Sequence, residues 1–163
     1  MEPRTAATDP AAALDVDRRL AAAEFLQSLL VDLTDLGLQG KQAHWNLRGQ
    51  MFRDLHLLLD ELVDVARNAA DTVAERCLAL GVAADGRVAV VHRDSRLAAF
   101  PEGRIEDAVV VDLIVDRLHT VSEAARSRLG QLGELDVVSQ DLVIELLESI
   151  EKQLWMFEAH RPA

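Results

Sequence analysis

His56 with Asp60, and Asp71 with Glu75, form two pairs of metal-ligand residue types, each spaced i, i+4. On a helix that interval puts both members on one face, so each pair could chelate a cation. Stepping about 100° per residue from His56 places Asp60 at about 40°, Asp71 at about 60° and Glu75 at about 100°, one narrow face. Leu55, Leu58, Leu59, Leu62, Val73 and Leu80 fall between about 200° and 300°, the side that must face the helix's own bundle, so the ligand face points outward. The midpoints of the two pairs are about 22 Å apart along the axis, too far for one helix to bring both to one ion. An antiparallel copy across a two-fold axis near residues 65 and 66 can do so. It joins His56 and Asp60 of one chain to Asp71 and Glu75 of the other and makes two equivalent sites. His44, just upstream, could add a second imidazole.

Two His, two Asp and one Glu mix nitrogen with hard oxygen donors, a set that suits Fe(II) and the Fe(III) formed from it better than zinc. Few ligands and an open position would let iron pass electrons to an oxidant, which is redox chemistry rather than a structural metal. The plain alternative is a solvated helix face whose imidazole and carboxylates hold nothing. Asp64 and Arg67 lie between the pairs and are symmetric about the same centre. The antiparallel contact would therefore bring Asp64 of one chain to Arg67 of the other, whereas within one helix they are an ordinary i, i+3 pair.

The elements that must position these residues read as helices. Leu14, Leu20, Phe25, Leu29, Leu33 and Leu36 recur at helical intervals, and the pattern continues through His44 to a stop at Gly49. Gly37 and Gly40 inside it point to a close helix contact. Residues 51–80 hold no Pro or Gly and end at Gly81, the clearest helix in the chain. Residues 82–103 form a crossover, within which VAVVH (88–92) could be a short helix or strand. Two more helices are expected at about 105–129 and 137–160, separated by GQLGELD (130–136). The expected fold is an all-α four-helix bundle over 14–160, with a long crossover between the second and third long helices. A mobile tail is expected at 1–13 and a short C-terminal end at 161–163.

Composition agrees with that class. The chain has 163 residues, 50% of them hydrophobic, with 4% aromatic, no Tyr and only four Pro, enough for one helical domain. Its formal net charge of −11, with Lys41 and Lys152 the only lysines, lacks the basic footprint of phosphate-backbone binding and favours cationic partners. Cys77 is the single cysteine, which excludes an intrachain disulfide and a thiolate zinc site. Neither a signal-like h-region nor an uncharged run of membrane-spanning length is present, so a cytoplasmic protein with no membrane partner is expected.

The runs HWNLRGQMFRDLHLLLDEL (44–62), DTVAERCLALG (71–81) and SQDLVIELLESIEKQLWMFEAH (139–160) resemble the Dps family, the ferritin-like DNA-binding proteins from starved cells. The similarity covers about residues 14–160. It implies a ferritin-like bundle and a ferroxidase site between two-fold-related subunits, whose five ligands match His44, His56, Asp60, Asp71 and Glu75 without substitution. It further implies a hollow homododecamer that oxidises Fe(II), with hydrogen peroxide in preference to dioxygen, and stores Fe(III) mineral, protecting against oxidative damage. Trp45 matches a family tryptophan thought to donate or relay electrons, with interfacial packing as its alternative role. The family's acidic pores lie near the start of the last helix, where Glu134, Asp136 and Asp141 are the candidates for iron entry. Asp136 is also placed to cap that helix.

The departure from the family concerns DNA. Members that bind it usually use basic tails, whereas residues 1–20 carry Arg4, Arg18 and Arg19 against Glu2, Asp9, Asp15 and Asp17. Twelve copies would carry about −132 of formal charge, which makes DNA binding doubtful. A DNA-compacting protein with secondary iron chemistry, and a helical assembly whose site holds zinc or nothing, are the rival readings. His92, His119 and His160 are expected at the surface.

Overall fold

A computed structural model describes residues 14–161. The tail expected at 1–13 lies outside the described residues, as do the last two residues of the expected C-terminal end. In chain order the elements are α1 (Val16–Asn46), β1 (Leu47–Arg48), α2 (Phe52–Ala79), α3 (Val88–Asp94), β2 (Ile105–Glu106), α4 (Asp107–Leu135) and α5 (Val137–Glu158). The four long helices form the expected all-α bundle: α1 packs on α2, α4 packs on α5, and the pairs meet through α1 with α4 and α2 with α5. Among the described residues no helix is long and apolar enough to cross a membrane.

Apolar side chains at helical spacing supply the core. Leu26, Leu29, Leu33 and Leu36 of α1, Leu55, Leu59 and Leu62 of α2, Ile114 and Leu118 of α4, and Phe157 of α5 are all essentially inaccessible to solvent. Each such side chain contributes about 1.5–3 kcal/mol through its removal from water. The two glycines of α1 differ. A Cβ at Gly40 would stand 2.9 Å from Val63 Cγ2, so the close approach of α1 to α2 is at Gly40. At Gly37 the nearest atom would be Arg67 Cγ at an ordinary 3.7 Å.

The crossover is tied down by buried polar groups. Asp32, wholly buried in α1, accepts from the backbone N–H of Arg96 at 3.0 Å and pairs with its guanidinium. Buried Arg117 donates to Gln39 Oε1 at 3.1 Å and to the carbonyls of Ala98 and Ala99 at 3.1 and 3.2 Å. Gln27 exchanges two 2.8 Å hydrogen bonds with the backbone of Asp85. VAVVH begins the short helix α3.

Two boundaries differ from expectation. The third long helix starts at Asp107 rather than Ile105, because Ile105 and Glu106 pair in parallel with Leu47 and Arg48. It also runs on to Leu135, through Gly130 and Gly133, so GQLGELD is helical up to its last residue. Gly133 faces the side chain of Gln140, which would collide with any Cβ there, and Gln140 Nε2 donates to the Leu129 carbonyl at 3.1 Å. Asp136 alone separates α4 from α5. As expected it is an N-cap, its carboxylate accepting the Ser139 N–H at 3.1 Å.

Candidate metal centre

The corner between α1 and α2 sets the geometry of the candidate site. Gly49 has φ +137°, a conformation that L side chains rarely adopt, and a Cβ there would run into the carboxyl of Asp107. That carboxylate accepts the Met51 N–H at 2.9 Å and the Ala108 N–H at 2.8 Å. The N-terminus of α4 therefore clamps the turn and lays the last residues of α1 beside the first turns of α2.

Across this corner His44 and His56 hold one another. His44 Nδ1 lies 3.0 Å from the His56 carbonyl and His56 Nδ1 lies 3.2 Å from the His44 carbonyl. A carbonyl only accepts, so each Nδ1 carries the proton, and in the neutral rings each Nε2 keeps its lone pair for a ligand. The rings stack with centroids 3.6 Å apart and planes 25° apart, and Phe52 also stacks on His56, at 5.0 Å and 28°.

Asp60 completes the cluster, one oxygen 3.3 Å from His44 Nδ1 and in an ion pair with Lys41 Nζ. The hydrogen bond from the Lys41 ammonium, aided by the positive potential of the neighbouring side chains and opposed by burial, holds the Asp60 pKa below its ordinary value. The lowered pKa keeps the carboxylate in its charged form, which metal binding requires.

Of the five expected ligands, one chain brings together His44, His56 and Asp60. Asp71 and Glu75 lie further along α2, exposed on the outward side as the angular spacing predicts. Among the described residues no group of three His, Cys, Asp or Glu side chains is arranged to hold a metal within the chain. Asp64 and Arg67 are exposed between the two pairs. Asp71 and Arg67 border a shallow groove of about 310 Å³ between α1 and α2, floored by Leu30, Leu38, Ala70 and Ala74.

Trp45 follows His44 and is 70% exposed. At the corner between α4 and α5, Glu134 and Asp141 are exposed, whereas Asp136 is buried. Its carboxylate caps α5 and pairs with Arg76 of α2 at 2.5 Å. Burial pushes the Asp136 pKa up, but the hydrogen bonds from Ser139 and Arg76 outweigh it and the net displacement is downward. His119 lies 3.3 Å from Glu158, His160 Nδ1 donates to the Met156 carbonyl at 2.8 Å, and His92 is exposed.

Sequence reasoning missed Lys41, Phe52 and Asp107. Lys41 sits three residues before His44 and Phe52 four residues before His56, helical intervals that place each beside a ligand. No comparable signal announced Asp107, whose role depends on a contact across the fold.

A family model described as Ferritin-like domain matches residues 23–161. "DNA protection during starvation protein 2" of Deinococcus radiodurans is 37% identical over 134 residues, covering 82% of this chain, which spans only 56% of that relative's length. The "DNA protection during starvation protein" of Agrobacterium fabrum is 33% identical, with 83% of this chain and 84% of the relative covered. The structure of Dps from Microbacterium arborescens in the high iron form superposes with a TM-score of 0.86 at 36% identity, covering 90% of this chain and 95% of that one.

Proposed function

This chain belongs to the ferritin-like Dps family, and from that premise we propose that it oxidises Fe(II) at sites shared by two subunits and stores the Fe(III) as mineral inside a hollow dodecamer. The observation that carries the reading is the mutual His44–His56 hydrogen bonding, which leaves both Nε2 lone pairs unspent, with the charged Asp60 3.3 Å from His44 Nδ1. With Asp71 and Glu75 exposed at the other end of the same face, each chain carries two half-sites that an antiparallel partner would complete. The apolar groove beside Asp71 supplies surface for that contact.

Iron here is substrate and cargo. The imidazoles and carboxylates bind Fe(II), and the hard carboxylate oxygens favour Fe(III), which lowers the potential of the couple and drives electron loss. Two Fe(II) ions give one electron each to hydrogen peroxide. Its O–O bond breaks and two protons are taken up, yielding two Fe(III) and two waters with no hydroxyl radical released. Removing peroxide and free iron together would limit oxidative damage, in keeping with a cytoplasmic role. Exposed Glu134 and Asp141 are the iron-entry residues in this reading, and Asp136 shapes their corner as a cap. Trp45, next to His44, is placed to relay an electron or to pack on the neighbouring subunit.

The test is an anaerobic Fe(II) titration followed by peroxide, on the size-fractionated assembly. The wild type should oxidise iron rapidly and remain soluble as a mineralised particle. His56→Ala combined with Asp60→Ala should abolish the fast phase, and oxidation at the wild-type rate would refute the site.

A further inference from the structure

Phe52 donates nothing to a metal, yet it closes the imidazole stack. We propose that Phe52 is a positioning residue: its ring face holds His56, and through His56 holds His44, in the one orientation that turns both Nδ1–H groups to carbonyls and keeps both Nε2 lone pairs for a metal. The consequence for metal binding rests on the function proposed above. The effect on the rings does not.

The order Phe52, His56, His44 is continuous, with centroid separations of 5.0 and 3.6 Å and interplanar angles of 28° and 25°. The terminal torsion of a histidine is broad and roughly two-fold, so a single hydrogen bond to a carbonyl restrains an imidazole weakly, and water can replace the acceptor. Two rings stack on His56, and it cannot turn without disturbing both stacks. His44 is buried and has Asp60 3.3 Å from its Nδ1, but the same Nδ1 is tied to the His56 carbonyl, so it is not a wall independent of His56. Phe52, 45% exposed, takes no part in those hydrogen bonds. It lies one turn before His56 on the same face of α2, as the first residue of that helix. The preceding residue, Met51, is anchored by its N–H to Asp107 of α4, and Gly49 makes room for that carboxylate. The backbone that carries the Phe52 ring is thus anchored from a third helix, independently of both histidines. Ligand orientation imposed by surrounding groups is where metal sites gain much of their affinity.

The experiment uses the full chain in its native assembly, labelled with 15N-histidine and studied metal-free by solid-state NMR, with His44→Gln and His56→Gln to assign the signals. Imidazole in water favours the Nε2–H tautomer, so paired Nδ1–H signals from His44 and His56 are a signature of the arrangement. The wild type should show them, Phe52→Tyr should keep them, and Phe52→Ala should give mixed tautomers. Phe52→Leu retains apolar volume and guards against a folding defect. With helix content and assembly unchanged, it too should lose the single tautomer. Anaerobic Co(II) titration should then show affinity about tenfold weaker in Phe52→Ala and near wild type in Phe52→Tyr. Wild-type tautomers and wild-type Co(II) affinity in both Phe52→Ala and Phe52→Leu would overturn the proposal. Failure of the wild type to bind Co(II) would instead defeat the metal reading, leaving the tautomer signals to judge Phe52.

Discussion

In the proposed site the Lys41 ammonium and a divalent cation would compete for one carboxylate. Lys41 neutralises Asp60 in the metal-free chain, and a metal ion bound there must displace the ammonium or share the oxygen atoms with it. Lys41→Met keeps the apolar stem and removes the charge, so Co(II) should bind about three- to tenfold more tightly in an anaerobic titration, the order expected for one like charge near a partly exposed site. Weaker binding in this variant would mean that Lys41 serves to orient Asp60. At the same scale the pairing of His44 with His56 makes the two ligands interdependent. Replacing either side chain removes one nitrogen donor and the other ring's stacking partner, while the backbone carbonyl that accepts the other ring's Nδ1–H remains.

At the scale of elements, Asp136 joins three helices: it ends α4, caps α5 and pairs with Arg76 of α2. Arg76 is the neighbour of Glu75, so this contact also holds the far end of the candidate ligand face. The Asp136 pKa lies below its ordinary 3.8, which means the folded state binds fewer protons there than the unfolded chain. Its contribution is fully present above that ordinary value and is lost as pH falls through the lower, folded one. Asp136→Asn should therefore cost about 2 kcal/mol near neutral pH, from a weakened cap and an unpaired Arg76. The deficit should shrink in acid. Denaturant unfolding at neutral pH and at about pH 3 measures both; an equal deficit at the two pH values would argue against the ion pair as its source.

At the scale of the whole molecule, the proposed function depends on what one chain leaves incomplete. If two antiparallel copies of α2 meet near residues 65 and 66, two Asp64–Arg67 pairs form across the axis, each worth about 1 kcal/mol when partly buried. Asp64→Ala should then shift the assembly toward smaller species in analytical ultracentrifugation and weaken Co(II) binding in parallel. Unchanged assembly with unchanged metal affinity would refute the two-fold contact at this position. The net charge of −11 per chain predicts little retardation of duplex DNA at about 0.15 M salt, with a chelator present to prevent cation bridging. Tight binding under those conditions would favour direct DNA compaction over protection through iron.

By itself the sequence determined the class of fold, the helix that bears the candidate ligands and the outward direction of their face. These are local properties: hydrophobic period selects a helix and its buried side, and i, i+4 spacing selects which polar residues share a turn. It also placed Asp136 as a cap, since capping chemistry is written in adjacent residues. Tertiary structure decided the rest. Helix α4 runs through Gly130 and Gly133 despite their poor helix propensity, with Gln140 of α5 packed against Gly133, a contact that a single-segment reading cannot weigh. Buried Asp32 and Arg117 look like surface charges until the crossover brings them Arg96 and the Ala98 and Ala99 carbonyls. The pairing of Leu47–Arg48 with Ile105–Glu106, and the clamp of Asp107 on the Met51 N–H, join segments more than fifty residues apart in the chain. The tautomers of His44 and His56 arise in the same way, because the acceptor that fixes each ring is a backbone carbonyl on the other helix, and backbone acceptors are the same in every sequence until a fold brings one within reach.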